Sequence, residues 1–139
     1  MTASQNKGTG GYVGWELAAA SRNMLLGLFP PKYLKVIGHH ITFKFGTDDM
    51  SAMPELLSAT VVGYTTDNRG IEGLVVAING TTERPDGSTY HITWSLDPNR
   101  QYNEKMAYKP VVTNFVLKTH GWLRLNTPIN ISVTPKVFR

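Results

Sequence analysis

Two stretches of the chain alternate apolar and polar residues with period two, and both contain the tripeptide His-Ile-Thr. They are residues 39–46, HHITFKFG, and residues 90–96, YHITWSL. Because successive side chains of a strand point to opposite faces, each stretch predicts a half-buried β-strand. The alternation assigns Phe45 and Leu96 to the apolar faces. It assigns to the polar faces His40, Thr42 and Lys44 in the first strand, and His91, Thr93 and Ser95 in the second.

The rest of the pattern predicts an α+β fold, mostly antiparallel sheet, with one helix near residues 21–29. Ser21 suits the N-cap of that helix, and Pro30 and Pro31 prevent it from continuing. Two β-rich runs flank the turn Asp-Asn-Arg-Gly at residues 67–70, which is typical of a β-hairpin. Strands are predicted at residues 11–17, 39–46, 59–66, 71–78, 90–96, 111–118 and 130–134, with a loop at 97–108 and a turn at 120–122.

The length of 139 residues predicts a single domain, which at this size buries about 70% of its unfolded surface. Residues 1–10 are polar and glycine-rich, so we expect a flexible N-terminal tail and a domain over residues 11–139. No run approaches the ~20 apolar residues of a membrane span, and no apolar core of a secretory signal is present. We therefore expect a cytoplasmic protein without membrane contact.

Composition narrows the partners that the chain is suited to bind. The chain has no cysteine, which excludes disulfides, zinc–thiolate sites and a thiol nucleophile. Its net charge of +4 suits an anionic ligand such as a nucleotide, although the same charge also favours solubility. That charge falls short of the dense Lys and Arg clusters of proteins that grip long nucleic acids. We expect a small nucleotide substrate, and the oligomeric state stays open.

Two imidazoles held on strands are suited to act as the base and the acid of one reaction. Unperturbed histidine has a pKa of about 6.5, so it exchanges protons near neutral pH. The threonine of each motif lies roughly 6–7 Å further along the same face, where its hydroxyl can donate to a phosphate oxygen. Lys44 would neutralise developing charge. This chemistry makes His40, Thr42, His91 and Thr93 the predicted catalytic residues and needs no metal or cofactor.

A structural role and a metal-binding role for these histidines both stay open at this point. Each His-x-Thr could be a structural feature of its strand, although two copies with the same central isoleucine speak against coincidence. The histidines could instead bind a metal ion, which would need a third ligand. His39 and His120 are the conspicuous candidates for that ligand, and the alternation predicts that His39 faces away from His40.

The two motifs carry a resemblance to a known family. Residues 40–43, HITF, and residues 91–94, HITW, both match the pattern H-φ-[T/S]-φ, in which φ is apolar. On these tetrapeptides the chain resembles the two-histidine (2H) phosphoesterase superfamily, and most of all its small phage anti-CBASS phosphodiesterases. The 51 residues from His40 to His91 (91 − 40) suit a compact, phage-type member. The helix and Phe-Pro-Pro before the first motif are similar to what precedes it in small phage and tRNA-ligase-like members.

The resemblance implies a bilobal fold of two antiparallel sheets related by a pseudo-twofold axis, with His40 and His91 facing each other across a central groove. It implies a metal-independent phosphodiesterase that hydrolyses the cyclic oligonucleotide signals of CBASS-type immunity, in the host cytoplasm for a phage protein. One alternative is an RNA-end 2′,3′-cyclic phosphodiesterase or RNA repair enzyme. Another is a non-catalytic module that sequesters nucleotides. Which histidine is the base and which is the acid stays open.

Three further residues are predicted to bind substrate: Tyr12, Lys44 and Trp122. In the anti-CBASS group an N-terminal tyrosine stacks on a nucleobase, a role that the resemblance implies for Tyr12. Such stacking contributes about 1–3 kcal/mol per base. Trp122, at a glycine-flanked turn, would close the other side of the pocket. The alternation predicts that Trp15 and Trp94 belong to the core instead.

Overall fold

The computed structural model describes residues 11–139 and contains two antiparallel sheets and two helices in that range. The α+β class is confirmed, and the predicted tail at residues 1–10 lies outside the described range. Neither of the helices found there is long and apolar enough to cross a membrane. The strands are β1 (Tyr12–Leu17), β2 (Lys35–Val36), β3 (His40–Phe45), β4 (Ala59–Thr66), β5 (Ile71–Ile78), β6 (His91–Leu96), β7 (Leu123–Asn130) and β8 (Val133–Phe138), and the helices are α1 (Ala19–Leu28) and α2 (Val112–His120).

A crossover between the two sheets leads directly into the first His-Ile-Thr strand. The three-stranded sheet has the order β3-β1-β8, and the five-stranded sheet has the order β2-β6-β5-β4-β7. Lys35 of β2 pairs with Leu96 of β6, and the Gly38 N–H donates to the Thr93 carbonyl at 3.0 Å. The chain then pairs with β1 as strand β3. The crossover therefore brings the two motif strands, β3 and β6, next to each other where the sheets meet.

One hydrophobic core is built from residues of both sheets and holds the apolar side of both motif strands. Ile41 of β3 and Ile92 of β6 are fully buried in it. Trp15 and Trp94 are fully buried in the same core, which confirms their predicted position, and Leu25 of α1 packs with them. Since strand faces alternate, burial of the two isoleucines turns the histidine and threonine of each motif away from the core.

Strand β3 carries one extra residue, Phe43, directly after its His-Ile-Thr. Two consecutive residues of β1 pair with Thr42 and Lys44, so Phe43 forms a β-bulge and the alternation reverses beyond it. Phe45, rather than Lys44, then lies on the side of the motif histidine, with its ring 5.8 Å from that of Tyr12. The predicted faces of Lys44 and Phe45 are therefore wrong.

Strand β6 has the same irregularity at the equivalent position, Trp94. Consecutive residues of β5 pair with Thr93 and Ser95, so these two side chains lie on opposite faces of the sheet. Ser95 donates a hydrogen bond to Glu72 Oε2 at 2.5 Å, and Leu96 packs beneath α2. The prediction that Ser95 shares a face with the motif histidine, opposite Leu96, is wrong for the same reason.

Local patterns predict the first half of the chain well. Strand β1 falls within the predicted residues 11–17, and β4 and β5 form the predicted hairpin around residues 67–70. Helix α1 begins at Ala19, with Ala18 rather than Ser21 at the N-cap. Ser21 instead lies inside the helix and accepts a hydrogen bond from the Ser132 N–H at 2.8 Å, which ties α1 to the connection between β7 and β8.

Helix α2 replaces the strand that the pattern predicts at residues 111–118. The β-branched residues of this run favour a strand, yet Val112, Thr113, Val116 and Leu117 are buried at helical spacing. They cover the outer face of the five-stranded sheet, which an amphipathic helix can do and a strand outside the sheet cannot. The strand predicted at residues 130–134 is also wrong, because residues 131–132 connect β7 to β8.

The close approach of β3 to Gly14 makes that position sensitive to any side chain. A Cβ there would lie 2.1 Å from the Ile41 carbonyl oxygen, which is backbone and cannot rotate away. We expect Gly14→Ala to lower the free energy of unfolding by about 1–3 kcal/mol, the usual cost of overpacking, in urea denaturation. Gly27→Ala is the control, because nothing lies within 4 Å of that position in α1. Equal stability of the two variants would contradict the close approach.

Candidate active site

His40 opens β3 and lies in an aromatic cluster on the outer face of the three-stranded sheet. Its ring centroid is 5.2 Å from that of Tyr12 and 4.8 Å from that of Phe138. Tyr12 and Phe138 stack on each other at 4.9 Å. Burial, followed by the charges of His39 and His91, lowers the pKa of His40 from 6.5 to about 4. The imidazole is therefore neutral at pH 7, and Tyr12 is in contact with it.

His91 opens β6 and is almost fully buried. Its Nδ1 is 2.8 Å from the carbonyl oxygen of Thr89. A carbonyl only accepts hydrogen bonds, so we assign the proton of the neutral ring to Nδ1 and the lone pair to Nε2. Burial lowers the pKa of His91 from 6.5 to about 4; the Thr89 contact raises it, and the charge of Arg84 lowers it further. This histidine is also neutral at pH 7.

The two motif histidines are close enough for their charges to interact. A positive charge on His91 lowers the pKa of His40. Both side chains lie on the side of their strands that faces away from the shared core, because Ile41 and Ile92 are buried in that core. One neutral imidazole can accept a proton, and a second imidazole can deliver one once it is itself protonated.

The two motif threonines differ in their surroundings. The Thr93 hydroxyl is 2.8 Å from the hydroxyl of Thr113 in α2 and 3.3 Å from the Pro110 carbonyl oxygen. The single hydrogen of the Thr93 hydroxyl can therefore be donated within the protein, to Pro110 or to Thr113. The Thr42 carbonyl accepts a hydrogen bond, while the Thr42 hydroxyl has no partner within residues 11–139. Thr42 is thus the better placed of the two to donate to a ligand.

Arg84 is a buried cation beside the two motifs that the sequence pattern does not identify. Only 3% of it is exposed, and its guanidinium lies 5.2 Å from the Phe45 ring centroid. It donates to the Thr42 carbonyl at 3.3 Å, to Asp86 at 3.2 Å and to Asn114 at 3.4 Å. Arginine is almost never buried unless it is paired. In the sequence it belongs to an ordinary polar turn, and no periodic pattern distinguishes it.

Lys44 and Trp122 lie away from the motif histidines. Lys44 is exposed on the other side of the bulge, as its reversed position in β3 requires. Trp122 packs against the backbone of Gly63, and Arg124 lies 5.0 Å from its ring centroid. Gly63 belongs to β4, and β5 lies between that strand and β6. The substrate-binding roles of Lys44 and Trp122 stay predictions.

His39 lies beside His40, contrary to the prediction that the two face apart. Their Nδ1 atoms are 3.1 Å apart, and His39 Nε2 is 3.4 Å from a carboxylate oxygen of Glu16. Strand β3 begins at His40, so the alternation of a strand does not govern His39. Among residues 11–139 no three His, Asp or Glu side chains are grouped so that they could hold a metal ion.

A cavity of about 390 Å³ lies between the turn at residues 86–89 and helix α2. Its lining includes Thr89, whose carbonyl holds His91, and Asn114, which binds Arg84. Lys118 adds a cation to its wall. Pockets of this size accommodate a nucleotide.

The low pKa values of the two histidines predict an acid-sensitive fold. Both stay neutral in the folded state down to about pH 4, whereas unfolded histidines bind protons below about 6.5. The free energy of unfolding should therefore fall as the pH is lowered from about 6.5 to about 4. Urea denaturation at several pH values should give a shallower dependence for His91→Gln. His120→Gln, at the exposed end of α2, is the control, and equal slopes in all three proteins would refute the prediction.

Comparisons with known proteins do not place the chain in a family. A scan against protein-family models, a search of the curated proteins and a search of the solved structures each find no match to the chain. The function is accordingly inferred from the residues and contacts of this chain.

Proposed function

We propose that the chain is a metal-independent phosphodiesterase in which His40 and His91 are the acid–base pair. The substrate is a cyclic oligonucleotide of the kind used as a signal in bacterial immunity. The observation that carries the proposal is the meeting of two His-Ile-Thr motifs at the junction of the sheets, beside the buried Arg84. A module that only holds a nucleotide has no need of two proton-transfer groups.

The reaction divides into two proton transfers around one phosphorus atom. One imidazole takes the proton of the attacking hydroxyl or water, whose oxygen forms the new P–O bond. The other imidazole gives a proton to the oxygen that leaves as the old P–O bond breaks. In this scheme the protein moves protons and stabilises charge, and both transfers are made by side chains on rigid strands.

A bound phosphodiester would also favour protonation of the histidine that acts as the general acid. Both histidines are neutral at pH 7, and a general acid must carry a proton before the leaving group departs. A negative phosphate between them raises the pKa of the nearer imidazole, because an opposite charge favours the protonated form. Substrate binding and protonation of the acid are therefore coupled.

Thr42 and Arg84 are the groups best suited to hold the phosphate. The Thr42 hydroxyl has no partner within the described chain, whereas the Thr93 hydroxyl is engaged with α2. A guanidinium has five N–H groups, and Arg84 uses three of them in its present hydrogen bonds. The two that remain can donate to phosphate oxygens, in the bidentate geometry that arginine favours. Arg84 thus takes the role predicted for Lys44.

The bases of the substrate have two candidate contacts. Tyr12 is partly exposed and its ring lies 5.2 Å from that of His40, which suits stacking on a base next to the reacting phosphate. The cavity between residues 86–89 and α2 is lined by Asn114, which bonds Arg84, and by Thr89, whose carbonyl bonds His91. A cyclic di- or trinucleotide would span both.

A shared local geometry supports two lobes related by a pseudo-twofold axis. Each motif strand has its bulge at the fourth residue of the motif, Phe43 or Trp94. Each motif threonine pairs with a glycine of the neighbouring strand, Gly14 or Gly73. Two strands that share a motif, a bulge and a glycine partner fit the duplicated architecture that the family resemblance implies.

Turnover in a chelator is the first test of the proposal. The protein is incubated in EDTA with cyclic dinucleotides, cyclic trinucleotides and a 2′,3′-cyclic-phosphate oligonucleotide, and the products are separated and weighed by mass spectrometry. We expect cleavage of a cyclic oligonucleotide, reduced on the order of 10²–10⁴-fold in His40→Ala and in His91→Ala. His120→Ala, outside the motifs, should keep full activity.

The remaining outcomes identify the alternatives. Cleavage of the 2′,3′-cyclic phosphate alone would favour an RNA-end enzyme, and binding without product would favour a sequestering module. Loss of activity in EDTA would mean that the reaction depends on a metal ion.

Substitutions of Arg84 and Lys44 test which of these two cations binds the phosphate. We expect Arg84→Lys to lower kcat on the order of 10²–10³-fold, because lysine cannot offer two parallel donors to the developing charge. Lys44→Ala should change kcat less than twofold, because Lys44 is exposed beyond the bulge. Steady-state kinetics on the same substrate measure both, with circular dichroism to verify folding. A larger loss in Lys44→Ala than in Arg84→Lys would reverse the assignment.

A further inference from the structure

Three side chains form a chain of polar contacts that ends at the motif histidine of β3. The Glu16 carboxylate is 3.4 Å from Nε2 of His39, and Nδ1 of His39 is 3.1 Å from Nδ1 of His40. Glu16 lies directly across from His40 in the pairing of β1 with β3. The connection therefore runs from a carboxylate through one imidazole to the next.

The contact between the two Nδ1 atoms couples the tautomers of the two histidines. Two bare nitrogens, or two N–H groups, cannot bond to each other, so one Nδ1 must donate and the other must accept. The carboxylate of Glu16 accepts only, and it favours a proton on Nε2 of His39. Neutral His39 then has a bare Nδ1, which accepts the N–H of His40 Nδ1. His40 is left with its lone pair on Nε2.

We propose that Glu16 and His39 are positioning residues that set the tautomer of His40 and make His40 the general base, with His91 as the acid. This inference rests on the proposed phosphodiesterase function. It gives a role to the histidine that directly precedes the first motif strand, and it assigns the first proton to His40.

In this step two protons are transferred, one P–O bond forms and another P–O bond breaks. The O–H bond of the attacking hydroxyl or water breaks, and its proton moves to the lone pair of His40 Nε2. The oxygen forms a bond to phosphorus while the bond from phosphorus to the leaving oxygen breaks. The leaving oxygen takes the proton of His91 Nε2. The positive charge gained by His40 is shared through the Nδ1 contact with His39 and is offset by the Glu16 carboxylate.

The surroundings of the two histidines favour this direction. His40 faces His39, Tyr12 and His91, and Glu16 lies behind His39. Lys136 of β8 also donates a hydrogen bond to Glu16 Oε2, at 3.0 Å, so the carboxylate contacts a lysine as well as His39. His91, in contrast, contacts a neutral carbonyl, and the charge of Arg84 lowers its pKa. A protonated His91 gives up its proton readily, as an acid should, whereas behind His40 the ring of His39 faces a carboxylate.

Nitrogen NMR of the imidazoles tests the tautomer without any substrate. At pH 8, ¹⁵N shifts should report the Nδ1–H form of His40 in the native protein. In His39→Ala they should report the Nε2–H form, which neutral histidine prefers in water. A native His40 in the Nε2–H form, or one whose tautomer is unchanged in His39→Ala, would overturn the inference. Because this readout needs no catalysis, it separates a failure of the inference from a failure of the proposed function.

Kinetics test the consequence for the base. We expect kcat to fall on the order of 10- to 100-fold in His39→Ala and in Glu16→Gln, with KM changed less than twofold. The acidic limb of the pH–rate profile should move to lower pH in Glu16→Gln, because a base without its carboxylate binds protons less tightly. The double variant should be no slower than His39→Ala, since Glu16 acts through His39.

Thr134→Ala is the matched control, because Thr134 is exposed and pairs with Glu16 from β8 without entering the chain. It should leave both kcat and the pH profile unchanged. An unchanged pH profile in Glu16→Gln, or additive losses in the double variant, would assign His39 and Glu16 a structural role only.

Discussion

Burial of Ile41 and Ile92 in one core is the constraint from which the candidate site follows. A strand cannot bury its isoleucine without turning the histidine and threonine on either side of it to the opposite face. Because the crossover sets β3 beside β6, the two outward faces belong to the same region of the molecule. A bulge directly after each threonine then limits the polar face to His-x-Thr. Burial of the apolar residues in the core thus also sets the positions of the two motif histidines.

The electrostatics of this region fit the anionic substrate that we propose. Burial keeps two imidazoles neutral at pH 7, and a buried guanidinium lies beside them. A negative phosphate relieves both conditions, since it pairs with Arg84 and makes protonation of an imidazole easier. The Glu16 carboxylate adds a counterbalance on the side of His40. In the proposed reaction the general acid is therefore protonated only when the substrate is bound, which couples proton transfer to binding.

Particular residues show where reasoning from the sequence succeeds and where it fails. The buried positions of Trp15 and Trp94 follow from period-two alternation, because the apolar face of a strand packs into the core. Alternation fails beyond Phe43, since an inserted residue leaves no mark in the pattern. It fails at His39 because that residue precedes its strand. The β-branched run at residues 111–118 becomes a helix because the outer face of the five-stranded sheet needs a cover.

The sequence by itself determines the two His-Ile-Thr strands, the hairpin before the second of them and the burial of their apolar residues, since these depend on local alternation and turn chemistry. The tertiary structure alone decides that Arg84 lies beside the motifs, that Thr93 is engaged with α2 while Thr42 is not, and that Glu16 and His39 reach His40. These are contacts between residues distant in the chain, or across a strand boundary. They depend on how the sheets cross and pack, and no local pattern contains that information.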